Sequence, residues 1–71
     1  MAKSPKFPNL ASEMARAGYG AKEIASALGC SRYSVYSRLR GEAQTSVAEA
    51  AKVRDELFPG MTIDYLFDER G

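Results

Sequence analysis

The apolar positions of the chain fall into five short stretches with helical periodicity, and no stretch alternates long enough to predict a strand. Leu10, Met14 and Ala17 share one face of a first helix over about 10–17, with Asn9 as its cap and Gly18 at its end. Ile24, Ala25 and Leu28 form the buried stripe of a second, Ala21 to Leu28. Gly20 precedes that helix, and Glu23 lies in its first turn, where the helix dipole favours a carboxylate. Gly29 breaks the pattern. Ser31 then caps a third helix, Arg32 to Arg40, whose inner face is Val35 and Leu39, and Gly41 closes it. A fourth opens on a capping box of Ser46 and Glu49. Its apolar side is Val47, Ala50, Ala51, Val53, Leu57 and Phe58, and Pro59-Gly60 ends it. Thr62 caps a last short helix, Ile63 to Phe67, that returns Ile63, Leu66 and Phe67 to the core. The expected fold class is all-α: a compact five-helix domain over 9–68, preceded by a flexible arm over 1–8 and followed by a short tail over 69–71.

Size narrows the ways such a domain can hold together. At 71 residues the chain makes one domain, and a chain of that size buries only roughly 60% of its unfolded surface. Cys30 is the single cysteine and histidine is absent, so an internal disulfide is impossible and the usual zinc ligands are missing. No metal or cofactor is expected, and Cys30 reads as a small buried hydrophobe. Carboxylates are plentiful, yet none is matched with a histidine, so the sequence offers no catalytic constellation and predicts a protein that is not an enzyme. No run approaches the ~20 apolar residues of a membrane span. The start, MAKSPKFP, has lysines but no apolar stretch behind them, which points away from a secretory signal and towards the cytoplasm.

Charge changes the picture more than composition does. The formal net charge is only +1, but residues 1–40 carry seven basic side chains against two acidic, net +5, and residues 41–71 carry three against seven, net −4. A positive half attracts phosphates, and an acidic half opposite it limits non-specific adhesion. The positive half contains Ala21 to Gly41, AKEIASALGCSRYSVYSRLRG, two helical patterns joined by Gly29-Cys30-Ser31. This is the layout of a helix-turn-helix, in which the second helix enters the DNA major groove. Ala25 supplies the small residue where the helices cross and Gly29 the turn residue that tolerates positive φ. Ile24, Leu28, Cys30 and Val35 tie the pair to the core.

The pattern E-I-A-x-x-L-G-C-S-x-x-x-V, Glu23 to Val35, resembles the Cro and lambda-repressor type of DNA-binding domain, the XRE family. The stretch Asp55 to Phe67 is similar to that family's close, where a fourth helix ends and a short fifth finishes in a Leu-Phe pair, and the resemblance covers about Asn9 to Asp68. It implies five helices round one core, the third in the major groove, and a dimer on a two-fold symmetric operator of double-stranded DNA. The chain departs from the family where a capping Ser or Thr and a Gln often open the second helix; here these are Gly20 and Ala21. The late anchor of the third helix is Leu39, one residue further on than usual, and Arg38 or Arg40 stands where a glutamate is often found.

Helical geometry sorts the third helix. At about 100° per residue, Val35 and Leu39 point inward and Ser37 and Tyr33 centre the opposite side, with Arg40 and Tyr36 beside them. Arg32 and Tyr33 occupy the first turn, the part of a recognition helix that reaches deepest. Arginine can bond two guanine acceptors, serine can donate or accept, and a tyrosine ring can meet a thymine methyl. The expected base contacts are therefore Arg32, Tyr33, Ser37 and Tyr36, with packing against the core edge the alternative for Tyr36. Expected phosphate contacts are the first N–H groups of the second helix at Ala21 and Lys22 with the lysine charge, the hydroxyls of Ser31 and Ser34, and Arg40, Gly41 and Gln44 after the third helix. Arg38 either reaches a phosphate or pairs with an acid of the fourth helix. Lys3 and Lys6 belong to the arm, which reads as a solvated tail before it reads as a DNA-tracking one. The function this predicts is a sequence-specific DNA-binding regulator of the phage or prophage repressor type, with no membrane and no small-molecule ligand as partners. Leu57, Phe58, Met61, Tyr65 and Phe67 are more large apolar groups than a small core needs, which points to the C-terminal half as the dimer face. The alternatives are a helical protein-interaction module, antitoxin-like or anti-repressor-like, and a recombinase or excision accessory factor that also binds DNA.

Overall fold

The computed structural model describes residues 5–70. Its elements are α1 (Pro8–Ala17), α2 (Ala21–Leu28), α3 (Arg32–Arg40), α4 (Val47–Leu57) and α5 (Ile63–Leu66), and the described residues contain no strand. No helix among them is long and apolar enough to cross a membrane.

Local chemistry sets nearly every boundary. Gly18, Gly29 and Gly41 end α1, α2 and α3 in the left-handed region, at φ of 76°, 70° and 84°. There the absence of a Cβ lets the chain fold its N–H groups back onto the last carbonyls. Ser31, Ser46 and Thr62 cap α3, α4 and α5 by accepting from the backbone N–H of Ser34, Glu49 and Tyr65. Glu49 completes the box at α4 by accepting from Ser46 N–H at 3.1 Å. Gly20 has no side chain to cap α2, and the Glu23 carboxylate accepts its N–H at 2.6 Å instead.

The core takes one deeply buried aliphatic residue from every helix: Leu10, Ile24, Val35, Val53 and Leu66. The packing is economical. α2 lies against α3 and α4, α5 lies against α1 and α4, and the backbone of α3 approaches no helix except α2. Aromatic edges close the gaps between them. Phe7 meets Phe67 edge-on with ring centroids 5.0 Å apart, and Tyr19 meets Phe58 at 5.6 Å.

Several expectations are corrected by this packing. The arm does not extend to residue 8: Phe7 is buried in the core, α1 begins at Pro8, and the Lys6 N–H donates to the Leu39 carbonyl at 3.1 Å. Lys3 lies outside the described residues. Asn9 is not the cap of α1. It lies inside the helix, and its side-chain amide donates to the Tyr65 carbonyl at 2.9 Å, a tie between α1 and α5. Proline at the first helical position explains how α1 starts without a side-chain cap, since proline has no N–H to satisfy and its φ suits a helix. Ala17 and Val47 are exposed, Val47 at 78%. The supposed apolar surplus of the C-terminal half is mostly spent inside. Phe58 is buried, and Leu57, Met61 and Phe67 pack against the core.

One buried charge was not foreseen. Glu13 is only 4% exposed. Its carboxylate accepts from the Tyr65 hydroxyl at 2.7 Å and from Arg16 at 3.1 Å, so its burial is compensated by a hydrogen bond and an ion pair. The two bonds of Tyr65 and Asn9 fasten the four-residue α5 to α1.

Candidate nucleic-acid interface

α3 has the fewest buried residues of the four longer helices, and its sequence explains why. Of its nine residues only Val35 is fully buried, at 1% exposure, with Leu39 half-buried a turn later. The rest of the helix is polar or tyrosine. A helix with one narrow apolar seam packs on one neighbour and leaves its other sides open. The turn that sets its direction is short and fully bonded. Gly29 and Cys30 both donate to the Ala25 carbonyl, at 2.8 and 3.1 Å, before Ser31 starts α3. Cys30 is half-buried against the core, as a small apolar side chain in this turn should be.

On the open side, Tyr33 is 73% and Tyr36 49% exposed. Tyr36 is the more covered of the two. Tyr33, Ser37 and Arg40 follow one another at spacings of four and three, a strip in which Ser37 is half-buried between exposed Tyr33 and Arg40. Arg32 stands at the start of α3, exposed, with no carboxylate within ion-pair distance among the described residues. Its charge helps to hold the nearby Glu23 carboxyl below its ordinary pKa, an effect led by the bond from Gly20 N–H.

The remaining expected residues divide sharply. Lys22 is exposed at the start of α2 and makes no ion pair among the described residues. Ala21 offers only its backbone, because its side chain is buried. The positive end of α2 is also partly spent, since the Glu23 carboxylate already sits on Gly20 N–H. Ser31 and Ser34 are engaged with each other: Ser34 N–H donates to Ser31 Oγ at 3.2 Å, and the two hydroxyls lie 3.3 Å apart.

Arg38 resolves towards the acid of the fourth helix. Its guanidinium grips both Glu49 oxygens, at 3.3 and 2.8 Å, and also donates to the Ser34 carbonyl at 3.0 Å. The bidentate grip holds Glu49 below, and Arg38 above, their ordinary pKa values. Arg38 is therefore a strut between α3 and α4, three of its donors already taken. Arg40 is likewise held bidentately, by Glu42 with both bonds at 3.1 Å, but at the surface, where such a pair is worth little and opens readily. Gly41 and Gln44 lie on the exposed connection from α3 to α4.

Sequence reasoning undervalued one residue here. Lys6 is tied by its backbone to the last turn of α3, and its aliphatic stem lies against Gly41, where a built Cβ would stand 3.2 Å from Lys6 Cδ. The signal was Phe7, an aromatic residue between prolines that is too apolar for a free tail. No family model, curated protein or solved structure matches the chain.

Proposed function

We propose that α2 and α3 form the helix-turn-helix of a Cro/lambda-repressor-like domain and that the protein is a sequence-specific regulator binding double-stranded DNA in the cytoplasm. The observation that carries this reading is the state of α3. It is anchored by Val35 and the Arg38–Glu49 strut, and it turns Tyr33 and Tyr36 outward, with Ser37 half-buried on the same side and the unpaired Arg32 and Lys22 exposed. A helix so held has the two things a major-groove reader needs, a rigid base and a polar strip whose one internal ion pair, Arg40 with Glu42, lies at the surface. In this reading Arg32, Tyr33, Tyr36 and Ser37 meet base edges. Lys22, the first N–H groups of α2, and Arg40, Gly41 and Gln44 after α3 meet phosphates, with Arg40 exchanging Glu42 for DNA. The expected target is a two-fold symmetric operator bound by a homodimer, in the manner of phage and prophage repressors; an accessory role in recombination uses the same DNA face.

Selection from a random duplex pool, followed by titration over a salt series, tests the proposal. Enrichment of one sequence with two half-sites about 10–10.5 bp apart, bound more weakly as salt rises, is the expected result. A pool with no enriched sequence and a salt-independent affinity would refute it. A second reading, a protein-interaction module, is favoured by the exposed tyrosines, which suit protein interfaces as well as DNA. The double variant Arg32→Ala, Arg40→Ala separates the two: it loses DNA binding without unfolding in the first and keeps its activity in the second.

A further inference from the structure

The arm over 1–8 was expected to be loose, and the structure gives its residues Lys6 and Phe7 a fixed address. Lys6 N–H donates to the Leu39 carbonyl at 3.1 Å. That carbonyl belongs to the last turn of α3, where helix carbonyls lack an intrahelical partner. The stem of Lys6 continues over Gly41, with Cβ, Cγ and Cδ all within 3.9 Å of where a Cβ on Gly41 would stand. Its ammonium lies 5.8 Å from the centroid of the Phe7 ring, and Phe7 is buried. Backbone, stem and neighbouring ring thus hold one lysine at the C-terminal end of α3.

The surroundings decide what the cation is for. Arg38 and Arg40, the nearby arginines, are each gripped by a carboxylate, whereas Lys6 has no ion-pair partner among the described residues. Lys6 lines a surface cleft of about 330 Å³ together with Gln44, Thr45 and Ser46. Glu69 also lines it, so an anion is expected at the Lys6–Gln44 part of the cleft.

We propose that Lys6 is a phosphate-binding residue of the DNA face, held against the end of α3 so that it contacts the duplex backbone beside Gly41 and Gln44. The proposal rests on the reading of α2–α3 as a duplex binder and adds to it a contact outside the helix pair. Held this way, the lysine gives up less side-chain freedom on binding than a lysine on a free tail would. It also fixes the register of α3 on the duplex, because its phosphate and the helix end move as one body.

The test uses the full chain and the duplex enriched by selection, with affinity followed over a salt series. Lys6→Met keeps the stem against Gly41 and removes the charge. The expected result is a fall of about 0.9 in the log–log salt slope and a roughly three- to tenfold loss of affinity at low salt. The melting temperature should be unchanged. In wild-type protein, the acetylation of Lys6 by an amine-reactive ester should slow severalfold when the duplex is bound. This second measurement needs no folded variant. Wild-type binding with an unchanged slope in Lys6→Met, or an equal acetylation rate with and without DNA, overturns the proposal and leaves the DNA reading intact. Failure of the wild type to bind any duplex overturns the DNA reading and this contact with it.

Discussion

Two of the polar ties that join different helices, Arg38 to Glu49 and Tyr65 to Glu13, end on a carboxylate. Arg38 and Ser46 N–H hold the Glu49 carboxyl below its ordinary value of 4.5. A carboxylate whose pKa is lowered by folding stabilises fully above its unfolded pKa, and the contribution is lost as pH falls through the folded value. Stability should therefore decline as the solution is acidified below about pH 4.5, and Glu49→Gln should flatten that decline. Melting curves at a series of pH values measure it, and parallel acid limbs in both proteins would show that Glu49 is not responsible. Because Glu23 is lowered in the same direction by Gly20 N–H, the variant should keep part of the slope. Apolar truncation acts at another magnitude. Leu66 is completely buried and is the only fully buried residue of α5. Leu66→Ala should cost about 2–5 kcal/mol, a large share of what a domain this small possesses. Thermal or denaturant unfolding should find the variant largely unfolded near physiological temperature, and a melting temperature close to wild type would contradict this account of the core.

The glycine stops give a controlled comparison at the scale of the element. Gly18 and Gly41 both end a helix with positive φ, 76° and 84°, so alanine at either position pays the backbone penalty, about 1 kcal/mol. Nothing lies within 4 Å of a Cβ built on Gly18, whereas one on Gly41 meets Lys6 Cδ at 3.2 Å. Gly41→Ala should thus destabilise more than Gly18→Ala, and the excess should shrink when Lys6→Ala is added. A double-mutant cycle of unfolding free energies checks it, and additive losses would mean that Lys6 simply yields. The same elements show what was legible in the sequence. Gly18, Gly29, Gly41, Ser31, Ser46 and Thr62 work through neighbours no more than a few residues away, so their roles could be read directly from the chain. Asn9, Glu13 and Arg38 have partners set by how helices approach one another, at Tyr65 and Glu49, and nothing local distinguished Asn9 as a cap from Asn9 as a strut. Phe7 and Val47 erred in opposite directions for one reason. An apolar residue next to a helix end lies inside or outside according to the element that covers it, and periodicity does not contain that information. Of the expected site, the exposed tyrosines of α3 followed from helical geometry and the pairing of Arg38 with an acid of α4 was one of two open alternatives, while the capture of Arg40 by Glu42 was not foreseen.

The whole molecule has its charge divided along the chain, and the ion pairs decide how much of the positive half is available. By sequence, residues 1–40 carry net +5. In the structure, Arg38 is committed to Glu49 and Arg40 is held by Glu42. Arg16 is committed to Glu13. Among the described residues, Lys6, Lys22 and Arg32 remain as cations without an ion pair around α3 and the start of α2. Counterion release converts that number into a measurable slope, since each phosphate neutralised on duplex DNA contributes about 0.9 to the dependence of log affinity on log salt. With Arg32 on a base, phosphate contacts by Lys6 and Lys22 predict a slope of about −1.8 per copy bound, and recruitment of Arg40 away from Glu42 takes it to about −2.7. A slope near −3.6 would require Arg38 as well, and so the opening of its bidentate bond to Glu49 on binding. Comparison with Glu49→Gln distinguishes these outcomes. If Arg38 stays a strut, freeing its guanidinium should steepen the slope by about 0.9, because a cation tied up internally becomes available to a phosphate. If Arg38 already faces DNA in the complex, the variant should bind with the wild-type slope. The first outcome is expected, because the strut holds α3 by its only polar tie to α4, and a helix that must keep its angle in a groove gains from leaving that tie closed.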